Sequence, residues 1–243
     1  FMSPLVNAQL KPCEFTLGFD SWEPYQYVGV GREIRGLDIE LIKMVTDKMD
    51  CELNFAQGTW FDLLPKLRNG EIDMLLGASK TEERAKFALF SDTYRSEEFL
   101  LYVRKGDEAL KNITSFSQLI ENKMKLGVVD DYYYGEEFTA LHNKKAAEPL
   151  FIGAIMGELN IARLLDQDID AFVEDSFVGA NMLRRKGLDK LIVPQGLSIN
   201  TGNVYVMFSK KTVPQNLVTE FNAALSAVKA SGEYDVLVTL YSM

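Results

Sequence analysis

Residues 52–77, "ELNFAQGTWFDLLPKLRNGEIDMLLG", combine two short apolar runs with an amphipathic pattern between them. Leu63, Leu64 and Leu67 recur at helical spacing, and Gly70 follows as a typical helix stop. The flanking runs "ELNFA" and "IDMLLG" are bounded by turn residues, which is the pattern of strands. The segment therefore predicts a strand–helix–strand unit with parallel strands and a right-handed crossover.

The same alternation continues on both sides of this unit. Upstream, the sequence predicts a strand over 14–19 and a helix over 36–49. Downstream, the predicted helices cover 115–123, 132–144, 158–167, 176–187 and 214–232, and the predicted strands cover 124–131, 169–175 and 203–211. The pattern predicts an α/β protein with two lobes joined by two crossovers. Lobe 1 comprises residues 12–100 and 203–243, lobe 2 comprises 105–195, and the crossovers lie near 97–104 and 194–202.

Composition excludes several classes of protein. The chain carries 35 acidic and 26 basic residues, a net charge of −9, and no basic stripe, which argues against nucleic-acid binding. No apolar run approaches the ~20 residues that cross a bilayer. Within the N-terminal segment 1–11, Val6-Asn7-Ala8 fits the small-residue rule of signal peptidase, so we expect export; a sequence added for expression is the alternative.

Side chains that would support metal binding or hydrolysis are scarce. His142 is the only histidine, and no cysteine lies near it, so neither a zinc site nor a serine-hydrolase triad is expected. The alternating acids of residues 166–170 lack the glycine and the closing glutamate of a calcium loop. No phosphate-binding glycine loop is present either. We expect no metal, no cofactor and no catalytic residue.

Three side chains that suit ligand binding follow the ends of predicted strands. Trp22 and Trp60 come after the first two strands, and Arg84 begins a short helix capped by Thr81. Ligands bind at the carboxyl ends of strands in open α/β sheets, and a helix N-terminus attracts anions. These positions predict a binding cleft with an anion site at Arg84.

The sequence resembles one known family over nearly its whole length from about Cys13. The runs that carry the resemblance include "GFDSWEPYQY" (18–27), "GLDIELIKMV" (36–45), "GTWFDLLPKLRNGEIDMLLGASKTEERAKFALFSDTY" (58–94) and "DQDIDAFVEDS" (166–176). They are similar to the extracellular solute-binding proteins of family 3, the polar-amino-acid receptors of ABC importers. The resemblance implies a two-lobe, type II periplasmic-binding-protein-like fold that closes on its ligand about two hinge strands.

The resemblance also assigns roles to residues. Arg84 matches the arginine that holds the ligand's α-carboxylate, and Ser79 the hydroxyl residue that supports it. Gly77 and Asp175 match the carbonyl and the acid that accept the α-ammonium. Trp22 and Trp60 match the aromatic walls, with Phe19 beside them, and Tyr133 falls where a backbone N–H reaches the carboxylate. Asp175 alone would be read as a helix N-cap.

Cys13 and Cys51 each precede a predicted strand, so a disulfide or two free thiols are both compatible with the sequence. Because those two strands pair in the family fold, the resemblance implies the disulfide. It also implies a periplasmic monomer, with a small-molecule ligand and the membrane subunits of an ABC importer as partners.

One segment departs from the family. Asp130, Asp131 and Tyr132 replace a turn of small residues in "VVDDYYYGEE". Either the cleft takes a small or cationic ligand, or the tyrosines stack on an aromatic one. Two other kinds of protein share this fold. One is the sensory domain of a membrane receptor, and the other is a dehydratase, which would need a proton donor. Glu174 is available as that donor, but strand alternation should turn it away from the side of Asp175.

Overall fold

The computed structural model of the chain describes residues 13–241. The signal-peptidase motif expected at residues 6–8 lies outside the described residues. The strands are β1 (Cys13–Phe19), β2 (Tyr27–Val28), β3 (Ile34–Arg35), β4 (Cys51–Gln57), β5 (Met74–Ala78), β6 (Ala88–Phe90), β7 (Arg95–Arg104), β8 (Leu126–Val129), β9 (Phe151–Ala154), β10 (Ala171–Asp175) and β11 (Ile192–Ser209). The α-helices are α1 (Leu37–Lys48), α2 (Trp60–Asn69), α3 (Glu82–Ala85), α4 (Phe116–Glu121), α5 (Glu136–His142), α6 (Gly157–Leu165), α7 (Ser176–Arg185), α8 (Gln215–Ala230) and α9 (Glu233–Tyr241).

Within residues 13–241, eight strands follow one path, in the order β4-β1-β5-β11-β7-β10-β8-β9, and β6 adds to β11 as the ninth. Strand β1 runs parallel to β4 and β5, and β8 runs parallel to β9 and β10. Between these two parallel sets, β7 and β11 pair antiparallel from Ile192 opposite Arg104 to Val204 opposite Arg95. The two crossovers that the sequence predicts lie within this central pair.

The residues that begin and end α2 follow directly from the sequence. Thr59 accepts a hydrogen bond from the Asp62 amide at its hydroxyl, and Gly70 ends the helix in the left-handed conformation with φ of 78°. Leu63 and Leu67 are buried, whereas Leu64 is only partly buried. The helix predicted from residues 52–77 is therefore confirmed, together with Gly70 as its stop.

Two predicted elements differ from the structure. The helix expected over 132–144 begins only at Glu136, because the tyrosines before it turn into the protein: Tyr134 is 4% exposed, and its hydroxyl accepts a hydrogen bond from the Val129 amide. The strand expected over 203–211 is the end of the 18-residue β11, whose length depends on its distant partner β7. Strands β2, β3, β6 and β9 and helix α9 were not predicted from the sequence.

The predicted disulfide is confirmed. Cys13 lies opposite Cys51 in the parallel register of β1 and β4, with 4.5 Å between their Cα atoms, and their sulfur atoms are bonded. The bond lies at the end of these strands opposite to Trp22 and Trp60. Within residues 13–241, no helix has the length and apolar character needed to span a membrane.

Candidate functional site

A cavity opens where residues after β1, β4 and β5 face the loop after β8. It is lined by Asp20, Trp22, Gln26, Trp60, Leu76, Gly77, Ser79, Arg84, Glu97, Phe99, Tyr132 and Tyr133. Six of the eight ligand residues expected from the sequence line this cavity; Phe19 and Asp175 do not. The free volume is about 30 Å³, which holds only a few water molecules.

Hydrogen bonds from backbone amides to side-chain oxygens hold the cavity walls in place. Asp20, which follows β1, accepts a hydrogen bond from the Trp60 amide at the start of α2 (3.0 Å). Thr81 caps α3 and accepts from the Arg84 amide (3.2 Å). The carboxyl ends of three neighbouring strands thus bring Trp22, Trp60 and Arg84 together, as expected for an open α/β sheet.

Arg84 is buried, with 7% of its surface exposed. Its Nη1 donates to the Ser79 carbonyl (3.0 Å) and its Nη2 to the Asp131 carbonyl (2.9 Å). The guanidinium also lies over the Trp60 ring, 5.1 Å from its centroid. Burial lowers the pKa of Arg84 to about 10, so the group stays charged at neutral pH. No described carboxylate lies within salt-bridge distance of this cation.

Gly77 belongs to a buried network that the sequence did not reveal. Its amide donates to the Tyr94 hydroxyl (2.7 Å), which donates to Asp38 Oδ2 (2.8 Å). Arg95 forms an ion pair with the same carboxylate, Nε to Oδ1 at 3.0 Å, and its guanidinium stacks on the Tyr25 ring. In the sequence, Asp38 is simply an acid near the start of the predicted helix 36–49. Its partner lies 57 residues away, so no local pattern could identify the pair.

Asp175 caps helix α7, which is its alternative role from the sequence. Its Oδ1 accepts from the amides of Phe177 (2.9 Å) and Val178 (3.1 Å). Its Oδ2 is buried and has no hydrogen-bond partner among the described residues. Burial raises the pKa of Asp175 to about 6. One carboxylate oxygen thus remains an unused, buried acceptor.

Glu174 is buried against the first lobe. Its Oε1 accepts from the Asp175 amide (3.0 Å) and, at 3.5 Å, from Trp22 Nε1. Burial raises the pKa of this carboxyl to about 8. Strand alternation suggested a side chain remote from the ligand cleft, but Glu174 contacts one of the cavity's aromatic walls.

Glu97, on β7, is a cavity residue that the sequence analysis missed. It is 5% exposed, and its Oε2 accepts from the Thr201 hydroxyl on β11 (2.9 Å). Burial raises the pKa of Glu97 to about 7. In the sequence it stands beside Glu98 in "YRSEEFLLYV", which reads as the solvated face of a strand. Its position opposite β11 is what brings it into the cavity.

The tyrosine-rich segment enters the cavity. The ring of Tyr132 lies edge-on to Trp22 (6.2 Å between centroids) and to Trp60 (6.3 Å). The preceding carbonyl, of Asp131, accepts from both Arg84 Nη2 and Trp60 Nε1 (3.2 Å). Tyr133 also lines the cavity, but the ring between the two tryptophans is that of Tyr132.

Further contacts join the lobes beside the cavity. Arg185 of α7 forms a salt bridge with Glu23, and the Phe177 ring lies edge-on to Tyr25 at 6.3 Å. Helix α7 therefore contacts the segment that follows β1, at Glu23 and Tyr25.

This arrangement of strands and cavity has counterparts among known proteins. The model of the bacterial extracellular solute-binding proteins, family 3, matches residues 15–242. The chain belongs to this family. The resemblance in the sequence is thereby confirmed, and the family is one of extracellular solute-binding proteins.

Individual family 3 relatives match over most of the chain. A probable histidine-binding protein of Neisseria gonorrhoeae is 26% identical over 225 residues, which are 90% of this chain and 78% of that protein. The arginine-binding periplasmic protein of Mannheimia haemolytica is 26% identical over 219 residues, 88% of this chain and 84% of that one. A histidine kinase sensor domain with similarity to periplasmic binding proteins shares the fold, with a TM-score of 0.80, 16% identity, and coverage of 95% and 96%. The predicted α/β binding-protein fold is confirmed.

Proposed function

We propose that this family 3 protein binds a free amino acid, or a similar small zwitterion, in the cavity between its lobes and delivers it to an ABC importer. One observation carries the proposal: the cavity is lined by a buried cation, Arg84, and a buried carboxyl group, Glu97, and neither makes a salt bridge with a described residue. A zwitterion supplies a carboxylate to the arginine and an ammonium that favours the ionised form of Glu97. The named ligands of the two relatives, histidine and arginine, are of this class.

Each end of an amino acid has a partner in this proposal. The α-carboxylate binds the guanidinium of Arg84 and the hydroxyl of Ser79, because a planar fork of donors suits a carboxylate. The α-ammonium binds the Gly77 carbonyl and the unused Oδ2 of Asp175. The nearby Asp175 carboxylate adds to the burial that raises the pKa of Glu97, and a bound ammonium favours the ionised form of both carboxyl groups.

Most of the remaining expected residues form the walls. Trp22 and Trp60 flank the side chain of the ligand, and Tyr133 supplies its backbone N–H to the carboxylate. Phe19 is 2% exposed and packs edge-on against Phe55 at 6.1 Å, so it belongs to the core and not to the cavity lining.

Closure of the lobes completes the mechanism. Arg84 and Ser79 belong to lobe 1 and Asp175 to lobe 2, so the ligand satisfies both sets only by bridging the cleft. The bridging contacts exist only in the closed state, which is what a ligand-driven population shift requires. The residues near 97–104 and 194–202 in β7 and β11 act as hinges, and the closed monomer is the form presented to the importer.

Binding is tested by titration calorimetry after a thermal-shift screen of the twenty amino acids. Arg84→Ala should weaken binding by ~30-fold to several thousand-fold, the cost of removing one partner of a desolvated charge pair. Arg68→Ala, which removes an exposed arginine of the same lobe, should leave affinity unchanged. An Arg84→Ala affinity within a few-fold of the parent would contradict the assignment.

Delivery to an importer needs a separate test. Cells lacking this protein should lose high-affinity uptake of the amino acid that binds it. Unchanged uptake, with binding intact in vitro, would contradict the importer role and favour sensing, the function of the kinase domain that shares the fold.

A further inference from the structure

We propose that Tyr132 determines the affinity of the cleft by competing with the ligand: its ring occupies the place of the ligand's side chain, and a ligand binds only by expelling it. The preceding residue, Asp131, sets the geometry of this exchange. The expected effect of Tyr132 on ligand affinity rests on the proposed function, whereas its expected effect on the shape of the ligand-free protein does not.

The first support is the position of the ring. Tyr132 comes from the loop after β8 in lobe 2, yet it lies edge-on between Trp22 and Trp60 of lobe 1. It also meets Phe99 on the central strand β7, with 6.5 Å between the ring centroids. Edge-on aromatic pairs at these distances are attractive. The ring therefore binds lobe 1 in the way that the side chain of a bound amino acid would.

The second support is the carbonyl that precedes this ring. The Asp131 carbonyl accepts from Arg84 Nη2 and from Trp60 Nε1, two donors that face the cavity. Asp131 has a φ of 61°, in the left-handed region that residues with a side chain seldom adopt. The segment thus presents an oxygen to the arginine, as the carboxylate of a ligand would.

The third support is the lack of room. With the ring in place the free volume is about 30 Å³, far less than the ~300 Å³ or more of ordinary ligand pockets. No amino-acid side chain fits between the tryptophans beside Tyr132. The ring therefore competes with the ligand for this space and is not an additional wall that stacks on the ligand. Removal of a competing ring should strengthen ligand binding, whereas removal of a stacking wall should weaken it.

The ligand-free test is small-angle scattering on the parent, Tyr132→Ala and Tyr132→Phe. Tyr132→Ala should have a larger radius of gyration than the parent, because the contacts that draw lobe 2 onto lobe 1 are lost. Tyr132→Phe keeps the ring and should match the parent. Tyr205→Ala removes a ring that packs on Phe90 within lobe 1 and is the matched control. An unchanged radius in Tyr132→Ala overturns the proposal.

The ligand-dependent test is calorimetric titration with L-arginine and L-histidine. Tyr132→Ala should bind at least one of these amino acids about fivefold more tightly than the parent does, or tighter still. The reason is that the conformation able to bind the ligand is no longer a minor fraction of the protein. Tyr132→Ala should also contract more than the parent does when that amino acid is added. Equal or weaker binding by Tyr132→Ala shows a stacking wall and overturns the proposal.

Failure of the proposed function is distinguishable from failure of this inference. If neither amino acid binds to either protein, the assignment of the ligand class fails, and the ligand-free scattering decides the role of Tyr132 by itself. If Tyr132→Ala lost its fold, circular dichroism would show it, and Tyr132→Leu, which keeps an apolar side chain but no ring, would replace it.

Discussion

The Cys13–Cys51 disulfide should make a large and calculable contribution to stability. It joins residues 38 positions apart. For a loop of this length, the entropy that the bond removes from the unfolded chain corresponds to about 4 kcal/mol at 25 °C. Both cysteines are already opposite each other in the β1–β4 register, so the folded state needs little rearrangement when the bond is absent.

The double substitution Cys13→Ala/Cys51→Ala tests this value. Urea unfolding followed by circular dichroism should give a free energy of unfolding about 4 kcal/mol below that of the oxidised parent. In a protein of this size, each kcal/mol lowers Tm by about 2–4 °C, so the thermal midpoint should fall by about 8–16 °C. The parent treated with reductant is the matched control and should behave like the double variant.

Two results would refute the reasoning. A loss below about 1 kcal/mol would mean that the unfolded chain is not restrained by the bond. A large loss of ligand affinity would mean that the bond shapes the folded state, because it lies at the opposite end of the strands from Trp22 and Trp60. The same double variant therefore separates an effect on the unfolded chain from an effect on the cleft.

Other groups in and near the cavity lead to two further predictions. Asp38→Ala leaves the buried Arg95 without its partner and should lower the free energy of unfolding by ~3–5 kcal/mol. A decrease of less than about 1 kcal/mol, measured by urea unfolding, would contradict this prediction. The pKa values of Glu97 (about 7) and Glu174 (about 8) are raised by burial. Such groups favour folding when protonated, so Tm of the ligand-free protein should fall as pH rises from 5 to 8. Glu97→Gln should have a higher Tm than the parent at pH 8 and nearly the same Tm at pH 4.5, and the reverse order would refute this assignment.

Local patterns were sufficient for most of the fold. Helix α2 begins after Thr59 and ends at Gly70 because a hydroxyl cap and a left-handed glycine act within a few residues. Similar short-range signals located α1, α7 and α8. The short strand β9 was missed because its four residues are stabilised by pairing with β8 and not by any periodicity of their own.

The cavity was only partly predictable. Trp22, Trp60 and Arg84 follow strand ends, which the sequence shows directly. Glu97 and Tyr132 reach the cavity through contacts between distant segments: one stands on a strand whose partner is about 100 residues away, and the other comes from a loop of the opposite lobe. An acidic pair in a strand carries no local sign of a binding site, and only the family resemblance placed the tyrosine run at the cleft.

The position of β11 has a consequence for how the chain acquires its structure. This strand, made of residues 192–209, lies between β5 and β7, and helix α8 after it packs on α1. Strand β5 and helix α1, which come early in the chain, therefore lack their partners until residues near its end have been synthesised. Strands β8, β9 and β10 lie close together in the sequence and can pair as soon as they are synthesised. A nascent chain that stops before β11 leaves the edge of β5 unpaired and one face of α1 uncovered. Such a fragment is prone to edge-to-edge association, so the chain needs protection until its last quarter has been made.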